Sequence, residues 1–212
     1  MILSKIQRAL SELYQLGSDY SVEDFYLKSP IASADQILGH REGHEALYIQ
    51  NNPDALNIGL YIDPAVIGRL EESRPFELIR ETDLADFCVA VEGVSHFLYL
   101  VERAGDEKEI TQLEMELQAE VDKYLLLALL HRLQTGAPPN HLMQTLFEDF
   151  HWRTEMSQVD LERYQEAHRL AAKFCASLDQ QYVRPWRWQA LIEKARRFYQ
   201  ASHWEKIRWL TP

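Results

Sequence analysis

Glu109 to Leu133 reads EITQLEMELQAEVDKYLLLALLHRL, and the fold class turns on whether this stretch is helix or strand. As a helix it places Ile110, Leu113, Leu117, Val121, Tyr124, Leu125 and Ala128 on one stripe, spaced by threes and fours. Thr111 followed by Glu114 is a capping-box pattern for its start. The competing reading is a strand, because Leu113, Met115, Leu117, Ala119 and Val121 alternate with polar residues. Glu, Gln, Met, Ala, Leu and Lys favour the helix, and β-branched residues are nearly absent. At 100° per residue Glu114 and Gln118 fall on one edge of the stripe, Glu116 and Glu120 on the other. From Leu125 to Leu130 the pattern is apolar all round, which in a soluble protein marks an enclosed helix. This is the expected central helix.

Working outward from it, Ile2 to Leu16 has the spacing of an amphipathic helix stopped at Gly17. Ser21 to Asp24 is a capping signal for a short turn of helix. Glu45–Gln50 and Ala55–Ile62 are β-like runs around Asn51-Asn52-Pro53-Asp54, the pattern of an antiparallel hairpin with a four-residue loop. Asp63-Pro64 then opens a helix bearing Val66, Ile67 and Leu70. Leu84 to Ala104 reads as helix to about Val94 and strand from His96 to Glu102, since Gly93 and Ser95 interrupt the helical pattern and FLYLV is rich in β-formers. Beyond Gly136-Ala-Pro-Pro139, helices are expected near His141–Phe150, Val159–Leu178 with Ser157 as cap, and Arg187–Ile207. The expectation is a helix-rich α+β fold: about three antiparallel strands packed on a central long helix and a C-terminal helical bundle. One domain over residues 1–212 is preferred. The proline break is the candidate internal boundary, dividing an α+β part, 1–135, from a helical part, 140–212.

The chain has 212 residues and a net charge of −11. Residues 181 to 212 hold seven cations against two acids, a net of +5 that leaves −16 on the remainder. Such a segment either docks on the acidic body or faces an anionic partner. Cys88 and Cys175 sit far apart in apolar patterns and read as reduced core residues. No secretory signal or bilayer-length apolar run is read, so a cytosolic protein without a membrane partner is expected.

Four groups of residues carry candidate chemistry. Glu92 and His96 are an i,i+4 pair in apolar surroundings, suited to proton transfer or to holding a metal ion, with Glu116 or Glu120 completing the set. A buried hydrogen-bonded pair is the plainer reading, and a strand beginning at Ser95 would dissolve the spacing. The acidic edge Glu114, Glu116, Gln118, Glu120 and Asp122 is suited to a divalent cation, but a solvated face near a helix N-terminus is preferred.

Arg163 to His168, RYQEAH, resembles the R-x4-6-H motif of HEPN ribonucleases, whose arginine and histidine attack or stabilise the scissile phosphate. The resemblance covers six residues and implies a catalytic role for Arg163 and His168. It departs from the family at Tyr164, where a polar Asn or Asp is usual, and in the hairpin, which an all-helical HEPN domain lacks. A surface helix carrying Glu162, Glu166 and Arg169 accounts for the same residues.

The fourth group is basic and aromatic: Arg184, Trp186, Trp188, Arg196, Arg197 and Trp204. It suits single-stranded nucleic acid. Packing of Trp188, Leu191, Ile192, Ala195 and Phe198 inward, with arginines bridging to the acidic body, is preferred. No phosphate-binding loop or nucleophile elbow appears. The functional expectation is therefore a non-catalytic cytosolic interaction or regulatory protein that binds a protein partner or forms a homodimer. A metal-dependent hydrolase or nuclease built on Glu92 and His96 is the alternative, and a nucleic-acid-binding module the third. No cofactor is favoured, and a divalent metal is the one the residues would accept.

Overall fold

Glu45–Asn52 (β3) and Ala55–Ile62 (β4), each built on a run of aliphatic and aromatic residues, form an antiparallel pair, in register from Glu45 opposite Ile62 to Asn52 opposite Ala55. The ladder therefore runs through Asn51 and Asn52, which the sequence had assigned to the loop. The computed structural model describes residues 1–31, 34–38, 44–52, 55–104, 110–149 and 157–211, so the tip at 53–54 lies outside them. The chain divides into two compact units, Met1–Ser11 with Leu16–Lys108, and Glu12–Gln15 with Glu109–Pro212.

The first unit begins with α1 (Ile2–Tyr14), whose last turn belongs to the second unit, and α2 (Val22–Phe25), capped by Ser21. Tyr26–Leu27 (β1) pairs parallel with β4, and Gln36–Leu38 (β2) pairs antiparallel with β3, giving a mixed sheet in the order β1-β4-β3-β2. Asp63 Oδ1 accepts the Ala65 N–H at 2.8 Å and Pro64 occupies the first turn, so α3 (Pro64–Ser73) starts directly where β4 ends.

Leu84–Ala104 (α4) is one uninterrupted helix, so no strand exists at His96–Glu102. Val91 and every residue from Gly93 to Leu100 are buried. A helix enclosed all round shows no amphipathic period, and the Phe-Leu-Tyr-Leu-Val run imitates a strand for that reason. Ser95 is no interruption, and Gly93 is a packing feature: a Cβ there would stand 2.9 Å from Glu45 Cγ and 3.1 Å from the Leu60 and Ile62 methyls. α4 lies on β3 and β4. Within the first unit the helix covering the sheet is α4. By length and composition alone Glu81–Arg103 would also suffice to cross a bilayer.

The Glu109–Leu133 stretch forms α5 (Gln112–Thr135), as its spacing predicts, in the second unit. Thr111 Oγ1 accepts the Glu114 N–H at 3.1 Å, and Gly136 closes the helix at φ 69°, a left-handed position that suits glycine. α6 (Gln158–Leu178) starts at Ser157, packs on α5, and runs into a π-turn over Asp179–Val183. The segment expected near His141–Phe150 winds as a π-turn at Gln144–Glu148. The helix expected from Arg187 to Ile207 is two helices. α7 (Trp188–Gln200) ends at Ala201, whose backbone is extended, and Ser202 and Glu205 form a capping box that starts α8 (His203–Leu210).

Candidate functional site

Two clusters of buried polar side chains stand out, one in each unit. In the first unit, α4 carries Glu92 and His96 one turn apart, and unbroken helix preserves the spacing that a strand would have dissolved. A carboxylate oxygen of Glu92 and a ring nitrogen of His96 lie within 4.8 Å of each other. His96 is 0% exposed. Its Nδ1 stands 3.4 Å from Oε1 of Glu45, the first residue of β3, itself buried. Gly93 makes this possible, because the Glu45 side chain crosses α4 where a larger residue would collide. Glu45 was missed from the sequence, since nothing in a strand's first residue announces which helix will lie over it.

The second cluster lines α5. Glu114, Glu116, Gln118 and Asp122 are all buried, so the acidic edge is not the solvated face expected of it. Lys206 of α8 is 0% exposed; its Nζ donates to Gln118 Oε1 at 3.0 Å and stands 3.7 Å from Glu114 Oε1. The Gln118 amide nitrogen donates to Asp122 Oδ1 at 2.8 Å and to the Tyr14 hydroxyl at 3.2 Å. Tyr14 in turn donates to Asp122 at 2.5 Å and stacks on Tyr199, with centroids 4.2 Å apart. Burial, reinforced by Asp122, pushes the Tyr14 phenol well above its ordinary range. The neutral amide of Gln118 thus bridges an ammonium on one side and a carboxylate on the other.

Along α5, Glu120 accepts from Lys123 Nζ at 2.6 Å and stands 3.4 Å from His168 Nδ1. Burial acts to raise the Glu120 carboxyl, but the Lys123 charge and the His168 contact outweigh it and hold the group at about 2. Tyr124 donates to Asp179 Oδ1 at 3.1 Å while Arg184 Nε holds Asp179 Oδ2 at 2.5 Å; burial and Asp179 raise the Tyr124 phenol. Burial also raises the Cys175 thiol, which is 0% exposed and inert on that account.

The remaining sequence candidates are placed as follows. Glu116 is buried on α5 in the second unit, and Glu120 is committed to Lys123 and His168. Arg163 and His168 share α6, but five residues put them about 140° apart around the axis. Arg163 pairs with Asp160 at 2.8 Å and lies over the Tyr164 ring, whereas His168 contacts the Phe147 carbonyl at 3.2 Å.

Of the basic aromatic group, Trp188 is buried with Leu191, Ala195 and Phe198, and Ile192 is half-buried. Arg184 pairs with Asp179, and Arg196 donates to the Leu13 carbonyl at 2.7 Å, both within the second unit. Arg132 lies over both Trp188 and Trp186, at 4.9 and 5.8 Å from the ring centroids. Arg197 is exposed, and Trp186, Trp204 and Trp209 remain 42%, 77% and 42% exposed. Trp204, Glu205, Ile207, Arg208 and Thr211 line a shallow depression of about 510 Å³.

Comparisons of the chain with protein-family models, with curated proteins and with solved structures returned no significant match.

Proposed function

We propose that the chain is a non-catalytic cytosolic interaction protein whose α7–α8 surface docks on an acidic protein surface, a second copy of the chain being the first candidate. The observation that carries this reading is the exposure of Trp204 and Trp209 beside Arg208 on α8. Tryptophan and arginine supply most binding energy where a surface is desolvated against a partner. Packing of the segment against its own unit occupies Arg184, Arg196 and Lys206. Arg197 and Arg208 remain exposed on the same two helices. Outside residues 181–212 the chain carries −16, so another copy offers an acidic surface of the required sign.

The test is sedimentation velocity across a range of protein concentrations at low and high salt, for wild type and for the Trp204→Ala, Arg208→Glu double variant. Salt-sensitive self-association that the variant loses supports the reading. A monomer at every concentration removes the second copy, and affinity capture with the variant as control then decides whether another acidic protein takes its place. Equal capture by wild type and variant rejects the surface altogether. Binding of single-stranded oligonucleotides with a steep salt dependence favours the nucleic-acid reading instead.

A further inference from the structure

We propose that Glu92 and His96 bind one divalent transition-metal ion of the zinc, cobalt or manganese class, with Glu45 holding the imidazole in the ligating orientation. The proposal is independent of the α7–α8 surface.

The argument begins with the imidazole. Its Nδ1 faces a carboxylate at 3.4 Å. A carboxylate there accepts the Nδ1 proton, which fixes the tautomer and leaves the Nε2 lone pair as the donor to an ion. Carboxylate, imidazole and metal in that order is the usual arrangement around a ligating histidine, because the outer carboxylate sets the ring's orientation and raises its basicity. Glu45 is the outer carboxylate here and Glu92 the inner one.

The second step is distance. Two donors each about 2.1 Å from an ion, at angles of 90 to 110°, stand roughly 3.0–3.4 Å apart. The Glu92 and His96 donor atoms lie within 4.8 Å of each other on one face of a continuous helix. Glu92 is half-buried and on the same stripe as His96, so both donors can face one ion between them.

The third step is donor chemistry. One imidazole and one carboxylate suit zinc and its neighbours rather than calcium or magnesium, which take oxygen donors alone. Cys88 lies two turns earlier on α4, about 12 Å along the axis from His96, and is outside the coordination shell. His96 must be neutral to ligate, so protons compete with the ion for the imidazole.

The experiment uses the full chain after chelator treatment, titrated calorimetrically with Zn²⁺ and spectroscopically with Co²⁺, whose visible absorption reports nitrogen and oxygen ligation. One equivalent is expected to bind. His96→Ala and Glu92→Gln each abolish that equivalent, Glu45→Gln weakens it about 10–100-fold, and His203→Ala leaves it unchanged. Circular dichroism and urea midpoints accompany each variant. Glu92→Gln preserves volume at a half-buried position, so it decides the matter if His96→Ala does not fold. No stoichiometric binding by the folded wild type, or binding that survives Glu92→Gln, overturns the proposal.

Discussion

The ammonium of Lys206 on α8 meets the side-chain carbonyl of Gln118 on α5 at 3.0 Å, in a position from which water is excluded. Glu114 lies on one side of this contact, and Gln118 passes its amide hydrogens to Asp122 and Tyr14 on the other. A cation buried this completely is tolerated only where hydrogen bonds and opposite charge replace its hydration.

Removing that cation alone is therefore expensive. Lys206→Met is expected to lower the unfolding free energy by about 3–5 kcal/mol, because it leaves buried carboxylate without its counter-charge. Adding Glu114→Gln to Lys206→Met recovers part of the loss. Urea denaturation of the wild type, the two single variants and the double variant measures the coupling, and additive effects would show that Lys206 and Glu114 act independently.

Acid stability follows from Glu120. Its folded-state carboxyl is held at about 2, below the usual value for glutamate, by Lys123 and His168 against the opposing effect of burial. A depressed acid stabilises the fold at pH values above its unfolded-state range, and that contribution is lost as pH falls from about 4.5 toward 2. Its size is on the order of 3 kcal/mol, at ~1.4 kcal/mol per unit. Glu120→Gln is expected to flatten the acid limb of a stability–pH curve over that window. At the alkaline end the signs reverse: Tyr14 and Tyr124 have raised phenols, so their contribution is complete below about pH 10 and declines above it. Absorbance titration should show both ionising only as the protein unfolds.

Gly93→Ala tests the packing of α4 on the sheet. Alanine is the better helix former by about 1 kcal/mol, yet its methyl would meet Glu45 Cγ at 2.9 Å and buried Leu60 and Ile62 at 3.1 Å. Overpacking costs about 1–3 kcal/mol, so net destabilisation is expected. A urea midpoint equal to or above wild type would mean that Glu45 moves aside, and metal titration of the same variant would then show a weakened site.

Local signals were legible where a residue and its partner are close in sequence. Ser21, Asp63, Thr111 and Ser157 cap the helices they were expected to cap. The two hairpin strands were readable from their aliphatic and aromatic runs around a turn, and α5 from its strong helix formers and its cap. α4 is the instructive failure: once a helix is enclosed on every side, hydrophobicity has no phase, and the β-forming side chains of Phe97 to Val101 outweigh a helical reading. The break at Ala201 was missed although Ser202 and Glu205 spell a capping box. The polar clusters were half legible. Glu92 and His96 are visible as a pair because they share a helix. Glu45, Tyr14 and Lys206 come from elements 51, 108 and 88 residues away from the groups they contact, and no local pattern encodes such a meeting.

The distance between Gln118 and Lys206 also sets an order of events during synthesis. Eighty-eight residues separate them, about 4–18 s of elongation at 5–20 residues per second. Throughout that interval Glu114 exists and Lys206, its buried counter-charge, is not yet translated. Enclosed without it, the Glu114 carboxylate would be an uncompensated charge. Burial of Glu114 and Gln118 against Lys206 is therefore complete only once α8 has been made.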